Sequence, residues 1–121
     1  MARRETIMVV EVTTRILRHA RSSGVYANLS GHEVDYIAFV SSHGTFVAPV
    51  KSIQEDVPLK EIYSDVDSDA ETTLYRVGPL VAHAFTVSGK LPRGRKRITD
   101  YKDFLDASRS SQLFKHRYRS A

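Results

Sequence analysis

The chain has 121 residues with 41% hydrophobic and 26% charged content, which suits a single globular domain with a modest core. It contains no cysteine, so disulfides and thiolate metal sites are excluded, and the aliphatic run Ile7–Val10 is too short for a membrane span or a signal-peptide core. A soluble, cytoplasmic protein without membrane contact is expected. The net charge of +4 is unevenly placed: residues 90–121 carry ten Lys/Arg against three Asp, a net of +7, whereas residues 1–89 carry eight against eleven acids, a net of −3. Such asymmetry favours a polyanionic partner for the basic segment; the alternative is a solvated, frayed tail.

Taken in order, the first segment reads as a helix from Glu5 to Arg21. Val9, Val12, Ile16 and Ala20 follow helical spacing, and Val10 and Leu17 widen the stripe. Its many β-branched residues leave a long strand open as the alternative. Ser22-Ser23-Gly24 ends the element in either case. Glu11 falls opposite the stripe with Arg15 one turn on, the spacing of a surface ion pair worth a few tenths of a kcal/mol.

Three strands follow, Val25–Leu29, Val34–Val40 and Thr45–Lys51, rich in Tyr, Val, Ile, Phe and Thr and punctuated by Ser-Gly-His and Ser-Ser-His-Gly. Alternation puts Asp35 on one face with Ile37 and Phe39, and Lys51 on one face with Pro49, Val47 and Thr45. A tight His43-Gly44 turn makes the second and third strands antiparallel neighbours. An acid near the start of one strand then faces a lysine near the end of the next.

Beyond them, Asp56-Val57-Pro58 can start a short helix through Tyr63. Asp65-Val-Asp67-Ser-Asp69 opens like a calcium loop, but Ala70 replaces the turn glycine and Arg76 stands where the bidentate Glu belongs, which excludes calcium. Ser68 and Glu71 form a capping-box pattern, so a second helix is expected over Asp69–Val77, ended by Gly78-Pro79. A strand through Thr72–Val77 is its rival. Leu80–Val87 reads as a fourth strand, and a helix between strands implies a crossover. The fold class is therefore α/β (α+β): a central mixed sheet of about four strands flanked by helices.

Ser88–Arg97 is a basic loop without the spacing of a Walker-type phosphate loop. Thr99 or Asp100 caps a last helix to about Ser110, with Tyr101, Phe104 and Leu105 as its apolar contacts. Lys115-His-Arg117-Tyr-Arg119 interleaves aromatics with cations, a composition suited to nucleic acid. Arg93, Arg95, Lys96, Arg97, Lys115, Arg117 and Arg119 are the candidate phosphate contacts. The organisation expected is one domain over residues 1–114 and a basic tail over 115–121. None of His19, His32, His43, His83 and His116 has a zinc-motif spacing, which leaves turn or surface roles.

Helix, three meandering strands, helix, strand (αβββαβ) resembles the core order of the PD-(D/E)XK nuclease superfamily, and Glu11 to Lys51 resembles archaeal Holliday junction resolvases and related small nucleases. Glu11 matches the helix acid, Gly24-Val-Tyr26 the opening of the first strand, Asp35 the aspartate of the second, and Lys51 the lysine of the third. The resemblance implies a DNA endonuclease, dimeric, acting on duplex or branched DNA with Mg²⁺ or Mn²⁺. Asp35 would be the main metal ligand and Glu11 a secondary one, with Lys51 orienting water or stabilising developing charge. Pro49 departs from this pattern, standing where the family carries an acid two residues before the lysine. Two other readings stay open: a catalytically inactive nucleic-acid-binding module of the same fold, and a β-rich interaction protein with a basic tail.

Overall fold

The computed structural model describes residues 4–28, 31–85, 87, 91 and 97–107. The elements are β1 (Thr6–Glu11), α1 (Thr14–Ser23), β2 (Val25–Asn28), β3 (Tyr36–Ser41), β4 (Gly44–Pro58), α2 (Leu59–Ile62), β5 (Glu71–Val77), β6 (Val81–His83), β7 (Ile98–Asp100) and α3 (Tyr101–Asp106). Among the described residues, seven strands form one mixed sheet in the order β2-β5-β4-β3-β1-β7, with β6 also on β4. The mixed α/β class holds, with more strands than the four expected. β1 and β3 run parallel; the other pairs are antiparallel.

The first segment is a strand and then a helix, not one helix. Ile7, Met8, Val9 and Val10 are at most 1% exposed, buried on both faces. A continuous run of this kind is what a parallel strand in mid-sheet needs, and the β-branched residues favour it. The helical spacing applies only after it: Ile16, Leu17 and Ala20 pack on the core from α1, and Val12 from just before it. Thr13 caps α1 by accepting the Ile16 N–H. Gly24, in the left-handed conformation at φ 68°, closes it by donating to the Ala20 carbonyl at 3.0 Å.

β4 is the organising strand. Its first part pairs with β3 from Ser41↔Gly44 to Tyr36↔Pro49, through the expected His43-Gly44 turn, and with β6 on its other edge. Its second part pairs with β5 from Val50↔Val77 to Pro58↔Glu71. Two register shifts interrupt that ladder, one at Lys51 and one between Gln54 and Val57, where Asp56 adopts φ 58°. Each adds a bulge, which bends the strand and sharpens its twist. The first has a visible consequence: Val50 and Ile53, three residues apart, both face the same core, so the inward face is reset at Lys51.

Pro49 sits where a central strand can tolerate it. The Gly78 N–H donates to the Pro49 carbonyl at 2.9 Å, so the proline nitrogen faces the same edge of β4. The β6 ladder stops at Val47↔Val81 and the β5 ladder begins at Val50↔Val77. The missing donor thus falls in the gap between two ladders, where none is required. Gly78 fits closely there, since a Cβ on it would lie 2.9 Å from Pro49 Cγ.

The bent β4 curls the sheet. β2 does not meander onto β3; it pairs with β5, from Val25↔Arg76 to Asn28↔Thr73. Yet Tyr26 of β2 meets Phe39 of β3 edge-to-face, with centroids 5.2 Å apart at 87°. The two ends of the strand order also meet, where the Arg97 guanidinium beside β7 donates to Asn28 Oδ1 at 3.4 Å. The concave side holds the main core, including Met8, Val10, Leu17, Tyr26, Ile37, Phe39, Ala48 and Tyr75. Two further clusters stand beside it: Ile7, Val9, Ala38, Phe85 and Phe104 with α3, and Val57, Ile62, Tyr63 and Leu74 with α2, the latter also touched by Ile16 of α1.

Two further elements differ from expectation. Residues Glu71–Val77 form β5, not a helix, because Thr72 to Tyr75 are all buried and their β-forming side chains line both faces of a central strand. The strand expected over Leu80–Val87 is only β6. The last helix begins after Asp100, as expected, but its capping aspartate makes no side-chain cap bond; Leu29 and the end expected near Ser110 lie outside the described residues. The short helix after Pro58 is α2.

Two substitutions test this frame by urea unfolding. Gly78→Ala should cost about 1–3 kcal/mol by driving a methyl into Pro49. Asp56→Gly should raise stability by several tenths of a kcal/mol, by removing the penalty of the left-handed conformation.

Candidate functional site

Asp35 stands just before β3 and is tied into the sheet on both sides. Its N–H donates to the Thr6 carbonyl at 3.1 Å, and its carbonyl accepts the Val50 N–H at 2.8 Å. Its carboxylate Oδ2 accepts the Thr6 N–H at 2.9 Å and so satisfies the first amide of β1. Lys51, exposed in the bulge of β4, extends the other way: its Cε would lie 3.5 Å from a Cβ on Gly78. Both residues, with Glu33 and Ser52, line one surface groove of about 500 Å³. The acid and the lysine therefore line one groove.

Glu11 does not join them. It ends β1 opposite Val40, whereas Asp35 immediately precedes Tyr36, the partner of Ile7. Five residues of strand separate the two positions, about 16 Å at 3.3 Å per residue. Glu11 lines a different cavity, of about 340 Å³, with Thr13, Tyr26, Tyr63 and Glu71. The helix expected to carry it starts only at Thr14, and Arg15 pairs with Asp65 instead. A divalent ion of the Mg²⁺ type needs oxygen ligands converging on one point. The separation of Glu11 from Asp35 and the proline at position 49 do not supply that set. Among the described residues, no group of three or more His, Cys, Asp or Glu is placed to hold a metal ion.

Several other acids and histidines have structural surroundings. Asp65 and Asp69 of the calcium-like run pair with Arg15 and with Lys60 (2.5 Å). His19 lies edge-on to Tyr63 at 4.8 Å and His83 beside Phe104 at 5.0 Å, each with Nε2 buried and without a partner among the described residues. Both rings are half-buried against these aromatic neighbours. His43 keeps the turn position expected of it.

Of the candidate phosphate contacts, only Arg97 is among the described residues; Arg93, Arg95, Lys96, Lys115, Arg117 and Arg119 lie outside them. Arg97 turns inward, half-buried against Asn28, with its Nε shielded from solvent. Its contact closes the curled sheet.

Tyr36, the first residue of β3, and Tyr101, the first of α3, stack with centroids 3.7 Å apart and planes within 10°. The Tyr101 N–H donates to the Glu5 carbonyl at 2.9 Å, which seats α3 beside β1. The Tyr36 hydroxyl points to Glu5 Oε2 across 3.4 Å. Desolvation, followed by the Glu5 charge, pushes that hydroxyl above the ordinary phenol value of 10.0. Tyr101 also lines an open groove of about 650 Å³ with Arg4, Lys102 and Leu105, the last 46% exposed. The two tyrosines lie far apart in sequence, and Tyr101 reads there only as an apolar contact of the last helix.

Comparison with family models, with curated proteins and with solved structures returns no match to this chain.

Asp35→Ala should destabilise the fold by about 1–3 kcal/mol, the cost of an unsatisfied amide at Thr6, whereas Lys51→Ala should change it by less than about 0.5 kcal/mol. Denaturant midpoints of the two variants check this. Glu5→Gln removes a negative charge beside Tyr36, so ultraviolet titration of that phenol should move to lower pH than in wild type.

Proposed function

We propose that this protein is a nucleic-acid-binding module that does not cleave its ligand. The observation that carries the reading is the charge division along the chain: a net of +7 over residues 90–121 against −3 over residues 1–89. In sequence this stretch contains β7 and α3, and β7 pairs with β1. Cations gathered on one segment of an otherwise acidic chain bind a phosphate backbone chiefly by releasing its counterions. The separation of Glu11 from Asp35 supports binding over hydrolysis.

A second reading keeps the groove of Asp35, Glu33 and Lys51 as a phosphodiester-hydrolysing site. The observation favouring it is the shared groove itself. Incubation with duplex, single-stranded and branched DNA, with Mg²⁺ or Mn²⁺ and with EDTA, separates the two.

Binding without cleavage, indifferent to metal and weakening steeply with salt, is the expected outcome. Replacing Arg93, Arg95 and Lys96 together by Gln should lower the slope of log K against log[salt] by about 2–3, since each phosphate contact contributes about 0.7–0.9. Metal-dependent cleavage lost in both Asp35→Ala and Lys51→Ala would establish the second reading instead.

A further inference from the structure

We propose that the stacked Tyr36–Tyr101 pair is a base-stacking platform that gives the protein a preference for single-stranded nucleic acid. This rests on the nucleic-acid-binding reading above and names the form of the ligand. One face of Tyr101 is covered by Tyr36, at a centroid distance of 3.7 Å, and the ring also borders the open groove containing Leu105 and Lys102. An unpaired base has two π-faces and can extend such a stack at the Tyr101 end, whereas a base in a duplex has both faces occupied by its neighbours.

The surrounding charges suit a base better than a phosphate. The platform is ringed by Glu5, Asp35, Asp100 and Asp103 as well as by Arg4 and Lys102. Three of these acids have assigned contacts: Glu5 with the Tyr36 hydroxyl, Asp35 with the Thr6 amide, and Asp100 with Arg4 at 3.0 Å. Asp103, exposed beside Lys102, is placed to accept hydrogen bonds from amino groups on a base edge. In sequence, the basic run of the nucleic-acid-binding reading ends four residues before Tyr101, at Arg97. Tyr101 and the cation-rich run are thus neighbours in sequence.

Short single-stranded and duplex oligonucleotides of one sequence, titrated against the full chain, test the proposal. The chain has no tryptophan, so its intrinsic emission comes from tyrosine. Wild type should bind the single strand more tightly than the duplex, with quenched tyrosine emission. The double variant Tyr36→Phe/Tyr101→Phe keeps two stacking rings, and should retain affinity within about twofold while losing most of the quenching. Tyr36→Leu/Tyr101→Leu, which keeps apolar bulk, should bind the single strand about 5- to 100-fold more weakly and the duplex nearly as before. The platform is overturned if wild type binds single strands without quenching, or if quenching survives in the Phe variant. It is equally overturned if a folded Leu variant binds as wild type does. A wild-type protein that binds neither form overturns the parent reading as well.

Discussion

The fold depends on one strand serving two ladders. β4 leaves β3 at Pro49 and takes up β5 at Val50, and the bulge at Lys51 lets Val50 and Ile53 face the same core. A straight strand of fifteen residues would carry β5 and β2 away from β3. The bent one brings Tyr26 against Phe39, and Asn28 within reach of Arg97. Proline at position 49 belongs to this device: it occupies the gap between the β6 and β5 ladders and packs on Gly78. Its presence is explained by the bend, with no reference to a lost carboxylate.

The same geometry decides what the polar residues can do. A parallel β1–β3 pair puts Asp35 at the start of both strands and Glu11 at the far end of one. An amide of the sheet already engages the Asp35 carboxylate. Strand length thus separates two acids that a chain read from end to end would bring together. Lys51 shares the groove of Asp35, but as the projecting residue of a bulge that the curvature requires.

Local patterns in the sequence carried much of this. The His43-Gly44 hairpin, the end of α1 at Gly24 and the turn of helix after Pro58 depend on neighbouring residues, and each lies where its signals point. The misread elements are those where long-range burial overrode a local pattern. Val9 and Val10 fit a helical stripe, yet they belong to a strand covered on both sides, which has no single apolar face to reveal it. Glu71 fits a capping box with Ser68, yet the burial of Thr72, Thr73, Leu74 and Tyr75 between β2 and β4 makes that segment a strand. The pairing of β2 with β5, the inward turn of Arg97 and the stacking of Tyr36 on Tyr101 join residues far apart in sequence and leave no local trace.

We propose that nucleic acid meets this protein at the Tyr36–Tyr101 stack and the basic segment next to it in sequence, not at the groove of Asp35 and Lys51. The most direct measurement is a ¹H–¹⁵N correlation spectrum followed as a short single-stranded oligonucleotide is added. The largest shifts are expected at Tyr36, Tyr101 to Asp103 and the arginine-rich stretch before β7, with Glu33, Lys51 and Ser52 nearly still. Shifts centred on Glu33, Lys51 and Ser52, or none anywhere in the spectrum, would contradict it.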